Sequence, residues 1–204
     1  NRIIRLNEDG TQDESFLSGS GFTKEGVQTI RINDKGEIMV GGSFTGFYNG
    51  ADAVRLIFLQ SDGSVKPNFD IGSGPASASV LALEFDDEGS WFAGGSFTVF
   101  NGQNQGRLVK ISSEGEHDIS YLASGIGFDN SVLTILPLPN RKTIIGGNLK
   151  KFNRTSVSKI ACLTEEGMID PAFNTTNTGS NNLIKTSVLQ TDGKIILGGN
   201  FTKY

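Results

Sequence analysis

One histidine and one cysteine limit what this chain can catalyse. His117 stands in Gly115-Glu116-His117-Asp118. As a general base it needs a nucleophile and an orienting acid brought close by the fold. Matching positions elsewhere in the chain hold Gln12, Val65 and Ile169, so a solvated turn histidine is expected. Cys162 lies in the apolar run Lys159-Ile160-Ala161-Cys162-Leu163, in a slot taken elsewhere by Arg5, Phe58 and Lys110. A free thiol in such a run behaves as a small hydrophobe rather than a nucleophile. Two such residues cannot supply the several thiolate or imidazole ligands of structural zinc.

Carboxylates offer a second chemistry. Asp86, Asp87, Glu114 and Asp118 are available for a glycosidase or lyase. Retaining hydrolysis needs a carboxyl pair about 5–5.5 Å apart, and inverting hydrolysis about 6.5–9.5 Å. The acidic turns Asn7-Glu8-Asp9-Gly10, Asp86-Asp87-Glu88-Gly89 and Glu165-Glu166-Gly167 could lend oxygens to Ca2+. None shows the spaced acidic loop with a distal bidentate Glu, and turn conformation alone accounts for them. No cofactor is expected. Gly19-Ser20-Gly21 and Gly72-Ser73-Gly74 lack the Gly-Lys-Ser/Thr and helix of a phosphate loop. Asn153-Arg154-Thr155, Asn174-Thr175-Thr176 and Asn200-Phe201-Thr202 fit the N-glycosylation pattern. Trp91, which replaces the aliphatic or Thr side chains of Ile38, Thr143 and Ile195, and Tyr48 in Phe47-Tyr48-Asn49-Gly50 are candidate contacts for a sugar or protein ligand. So are the turn residues Asn49 and Asn101.

Positioning these groups falls to a glycine-rich, weakly acidic chain. Of its 204 residues 27 are glycine, nearly double the usual share of about 7%, and the net charge is −4. The absence of a Lys/Arg cluster, with a pI near 5.1, argues against nucleic acid as the main partner. No apolar run approaches the roughly 18 residues of a membrane helix, so no membrane insertion is expected. The first residue is Asn1 and no signal peptide is evident, so a processed or excised piece of a larger chain is expected.

The dominant feature is a repeat. Gly41-Gly42-Ser43-Phe44-Thr45 returns as Gly94-Gly95-Ser96-Phe97-Thr98, as Gly146-Gly147-Asn148-Leu149-Lys150 and as Gly198-Gly199-Asn200-Phe201-Thr202, at steps of 53, 52 and 52 residues. The segments starting at Arg2, Arg55, Arg107 and Lys159 keep the same steps, as do Gly10, Gly63, Gly115 and Gly167. Phe16, Phe69, Tyr121 and Phe173 form a fourth series in that register. Short β-branched runs, such as Val80 to Phe85 and Ser90 to Thr98, are separated by Asp/Asn-Gly turns and show no helical period. The fold class is all-β. A weak extra strand is expected around each aromatic of the fourth series.

Three or four short strands per ~52 residues, in four tandem copies, point to a β-propeller. One domain over 1–204 is expected, with repeats at 2–54, 55–106, 107–158 and 159–204 and one blade split between 184–204 and 1–22. This gives either a closed four-blade ring or part of a larger propeller. Phe44, Phe97, Phe201 and Leu149 should face the core. The glycine pairs should mark a close backbone approach or bulge at a blade junction.

Arg2-Ile3-Ile4-Arg5-Leu6-Asn7 with Asp9-Gly10 and Phe16, joined with Gln190 to Thr202, resembles the delta-60 repeat β-propeller family over essentially the whole chain. Copy three departs from the pattern at Pro137-Leu138-Pro139-Asn140-Arg141, where an altered hairpin is expected. The resemblance implies bacterial proteins that are secreted or displayed on the cell surface, or tail and fibre proteins of phage virions. It implies no shared catalytic residues. The reading is therefore a non-enzymatic extracellular module for adhesion, receptor binding or scaffolding, with protein or glycan partners bound through loops. A structural spacer in a tail or surface filament is the alternative, and a carboxylate glycosidase or lyase the second.

Overall fold

The computed structural model describes residues 2–122, 125–173 and 179–204, and those residues form strands and turns with no helix. Asn174-Thr175-Thr176 lies outside them. Three three-stranded antiparallel sheets follow one another, each with its second strand in the middle. Unit 1 comprises Val27–Ile32, Ile38–Gly42 and Leu56–Leu59. Unit 2 comprises Val80–Phe85, Trp91–Gly95 and Leu108–Ile111. Unit 3 comprises Val132–Pro137, Thr143–Gly147 and Ile160–Leu163. Among the described residues unit 4 has two strands, Ile184–Leu189 and Ile195–Gly199.

Each first hairpin closes on a tight turn ending in a left-handed residue, with φ of 76° at Gly36, 84° at Gly89 and 82° at Gly193. Glycine adopts this conformation without a Cβ penalty. A second hairpin between the middle and third strands turns on Asn49-Gly50, Asn101-Gly102 or Asn153-Arg154, with positive φ at both residues, as a type I′ turn requires. These hairpins join strands such as Phe22–Lys24 and Pro75–Ala76 into small side sheets.

The glycine pairs are the joints of the stack. Opposite each pair the first strand carries a bulge: Val27/Thr29, Val80/Ala82, Val132/Thr134 and Ile184/Thr186. A Cβ on Gly42, Gly95, Gly147 or Gly199 would fall 2.1–2.2 Å from a backbone oxygen of its own unit. A Cβ on the first glycine meets the next unit, and at Gly41 and Gly146 also Thr29 and Thr134 of its own unit. It would lie 2.6 Å from Val80 at Gly41, 2.5 Å from Val132 at Gly94 and 2.9 Å from Ile184 at Gly146. Each unit thus drops one branched knob into the hole left by its predecessor's glycine, and the packing leaves no room for a methyl group.

The middle strands of units 1 to 3 are buried at every residue, and four apolar clusters line the junctions between units and the back of unit 1. Phe44, Phe97 and Leu149 are buried as expected, but Phe201 is partly exposed because no further unit covers it. Among the described residues no strand forms around Phe16, Phe69, Tyr121 or Phe173. A one-residue bridge (Leu6↔Gln12, Leu59↔Val65, Ile111↔His117, Leu163↔Ile169) leads into a turn there. In units 1 and 2 the following aromatic folds back onto its sheet, Phe69 stacking on Phe58 at 4.2 Å and Tyr121 meeting Phe92 at 5.6 Å. No ladder joins residues 2–6 to Ile195–Gly199 among the described residues, so the split blade does not close on itself in this structure.

Candidate functional site

Several expected contact residues are buried or hydrogen-bonded into turns. Trp91 is fully buried, edge-on to Phe58 at 5.2 Å and against Phe85 at 5.4 Å, so it has no face to offer a sugar. Its position in the middle strand of unit 2 dictates this, since both faces of that strand are covered. Tyr48 is also fully buried, and its hydroxyl donates to the Gly63 carbonyl at 2.8 Å; burial pushes its pKa up to about 12. The Asn49 carboxamide accepts from Gly21 N and donates to the Leu17 carbonyl. Asn101 accepts from Gly74 N at 2.8 Å, and Asn153 accepts from Gly127 N at 2.7 Å. These asparagines tie each hairpin turn to the side-sheet strand or segment beside it.

His117 is not a solvated turn residue. Its ring packs edge-on to Phe100 at 5.0 Å, and Nε2 is buried with no hydrogen-bond partner among the described residues. Burial lowers its pKa, with Asp118 opposing. Cys162 is buried, and burial pushes its thiol up to about 11, the opposite of an activated nucleophile.

Asp86, Asp118 and Glu114 are committed as well. Asp86 accepts from the backbone N–H of Glu88 and Ser90 and pairs with Lys110 at 3.2 Å. Asp118 holds the backbone and hydroxyl of Ser120. Burial would raise its pKa, but those hydrogen bonds outweigh burial and leave it lowered. Glu114 is lowered mainly by the Ser113 hydroxyl. A general acid needs a shift the other way. In the acidic turns Asp9 is engaged by Thr11, and Glu166 by Thr164. No group of three metal-ligating side chains assembles among the described residues.

What the sequence flagged only as an irregularity becomes the most distinctive surface. The Leu138-Pro139-Asn140-Arg141 turn keeps the standard geometry: Arg141 N donates to the Leu138 carbonyl at 3.0 Å, as Gly36 N does to Asn33. The expected distortion is therefore absent. Arg141 takes the left-handed position itself, at φ 63°, where the other three turns use glycine. A non-glycine residue there costs roughly 1–2 kcal/mol. Its guanidinium bridges Glu88 of the unit 2 turn at 2.6 Å and Glu165 of the loop after unit 3 at 2.7 Å. Beside it Lys142 pairs with Asp170 at 2.7 Å. Under these charges lies a cleft of about 100 Å³ lined by Phe92, Tyr121, Leu138 and Pro139, with Asp86 and Asp87 at its wall. Glu114 and Asp118 do not line it.

One recurrent contact escaped the sequence reading. Arg2, Arg55 and Arg107, all at positive φ, each donate to a carbonyl 20 or 21 residues on, at Phe22, Pro75 and Phe128. Their matching spacing was visible, but their role needed the side sheets.

Comparison with known families places the whole arrangement. A beta-propeller family described as a domain of unknown function, DUF5122, matches residues 1–16, 36–69, 89–118, 138–173 and 190–204. The chain belongs to this family. Each internal matched stretch runs from the first hairpin turn or its end through the middle and third strands into the loop that follows. No curated protein matches the chain.

Proposed function

We propose that this DUF5122 β-propeller chain is a non-enzymatic interaction module that binds a protein or glycan partner at the rim cleft around Arg141. The observation that carries the reading is the strained Arg141. Three sister turns place glycine there, so the backbone gains nothing from arginine, and exposed ion pairs return only about 0–1 kcal/mol. Strain kept at one copy of a repeat is a pointer to function. Fixed charges of both signs above an aromatic and proline floor suit a polar ligand with an apolar edge, such as an oligosaccharide or a peptide.

The reading requires no cofactor, and the lowered, hydrogen-bonded carboxylates of Asp118 and Glu114 support a non-catalytic role over a glycosidase or lyase. The narrower delta-60 resemblance supports an extracellular, cell-surface or virion location. A role as a spacer in a filament is favoured by one observation, the uncovered apolar faces at both ends of the stack.

The test compares wild type with Arg141→Gly on a glycan array and in pull-downs from host-surface extracts. Gly keeps the turn and relieves its strain, so melting should be unchanged or slightly higher while binding to a captured partner falls by about tenfold or more, the worth of a hydrogen bond to a charged group. Equal binding by both proteins, or no partner retained by wild type, contradicts the reading.

A further inference from the structure

We propose that the Arg141 cleft takes a neutral, hydroxylated ligand, one sugar unit of a glycan, in preference to a peptide or a charged group. The proposal rests on the reading of that cleft as the binding site and adds the chemistry of its occupant.

The cleft exists because one junction of the repeat has been emptied. Between units 1 and 2 the corresponding space is filled by four aromatic side chains. Phe69 stacks on Phe58 at 4.2 Å, while Trp91 meets Phe58 at 5.2 Å and Phe85 at 5.4 Å. A step of 52 residues carries Phe58, Phe69, Phe85 and Trp91 onto Lys110, Tyr121, Pro137 and Thr143, and all four line the cleft between units 2 and 3. Three rings are lost there and the fourth gains a hydroxyl. Packing alone favours the filled version, because interiors are close-packed and a void forfeits contacts.

Tyr121 carries the chemical argument. Phe16, Phe69 and Phe173 hold its position in the other copies. Tyr121 is only 3% exposed, and its hydroxyl has no hydrogen-bond partner among the described residues. Thr143 stands close enough to act on its ionisation without bonding it. A buried hydroxyl left unpaired destabilises the fold, so its retention where three copies use Phe needs a partner from outside the chain, and a ligand hydroxyl supplies one.

The surrounding charges set the ligand's class. Each cation of the lining is already paired: Lys110 with Asp86 at 3.2 Å, Arg141 with Glu88 and Glu165, and Lys142 with Asp170. The remaining carboxylate, Asp87, is exposed to solvent. An anionic ligand would face four carboxylates and a cationic one three cations, so net charge of either sign is opposed. The same paired groups still offer donors and acceptors at fixed positions, as a ring bearing several hydroxyls requires, and Phe92 and Pro137 provide an apolar surface for its C–H face. At about 100 Å³ the cleft is well below the roughly 300–1,000 Å³ of sites for drug-sized ligands, which limits it to one unit.

The test presents wild type with an array of neutral, sialylated and sulfated glycans and with a peptide library, then titrates variants with the neutral glycan held best. Neutral glycans should be retained above the other probes. Tyr121→Phe restores the residue of the sister copies, so melting should be unchanged or higher while affinity falls about three- to tenfold, the contribution of one neutral hydrogen bond. Thr143→Ile, which installs the residue found at Ile38 and Ile195, should fill the cleft and lower affinity by more than about tenfold. Neutral-glycan binding that Tyr121→Phe leaves unchanged overturns the inference. Charged glycans or peptides retained in place of neutral glycans, and lost in Arg141→Gly but not in Tyr121→Phe, also overturn it while leaving the cleft as the binding site. Wild type that retains none of the probes overturns both.

Discussion

Unit 2 and unit 4 share a sequence pattern but differ in how completely that pattern is satisfied. Trp91–Gly95 is buried at all five residues, with a paired strand on each side and Val132 locked against Gly94. Ile195–Gly199 is only partly covered, has one partner strand among the described residues and brings no next-unit side chain onto Gly198. The same hairpin chemistry builds both, so local sequence decides the strands and the neighbouring unit decides the burial. A unit of two strands cannot cover both of its faces, which makes the stack the stabilising object rather than the single sheet.

Substitutions at matched positions should expose that contrast. The largest effect is expected for Trp91→Ala, which empties a fully buried site and should cost about 3–5 kcal/mol in chemical denaturation. Ile195→Ala, at the equivalent half-covered position, should cost well under half of that. Equal losses would mean that unit 4 is as tightly packed as unit 2.

Next comes the joint itself. Gly94→Ala drives a methyl group into Val132 of the next unit and should cost about 1–3 kcal/mol, whereas Gly198→Ala meets Thr186 of its own unit and no next-unit side chain, and should cost less than Gly94→Ala. By contrast, Gly95→Ala and Gly199→Ala should both be severe, since each clash is with backbone of the same unit. Should Gly198→Ala prove as damaging as Gly94→Ala at high dilution, the knob-in-glycine joint is the wrong description.

The smallest expected effect concerns His117, which replaces the Val65 of unit 1. Burial lowers its folded pKa, so on acidification the unfolded chain takes up a proton first. Above about pH 6.5 both states are neutral there and its stability is intact. Below that value stability is lost as pH falls through the folded pKa. Melting curves from pH 7.5 to 5 should be flatter for His117→Val than for wild type, and parallel curves would refute the assignment.

Much of this was legible in the sequence because a repeat reports packing several times over. Matching glycine pairs at four positions announced a junction, and Asn-Gly or Asp-Gly dipeptides announced the turns. Single residues were harder to read. Trp91 looked like a contact residue because no copy repeats it, and Tyr48 because it lies in the one-residue insertion region of copy one, but each sits where the sheet pattern already demands burial. Arg141 went unmarked as a site because its substitution for glycine read as damage to a turn. Only its reach to Glu88 and Glu165, on two other loops, gives it meaning. Contacts between units separated by about fifty residues leave no local trace in the chain.

Amide hydrogen exchange of the isolated chain at high dilution tests the central claim most directly. If stacking rather than local strand formation supplies the stability, Ile195–Gly199 should exchange at least about 100-fold faster than Trp91–Gly95. Equal protection of the two strands under those conditions would contradict the account.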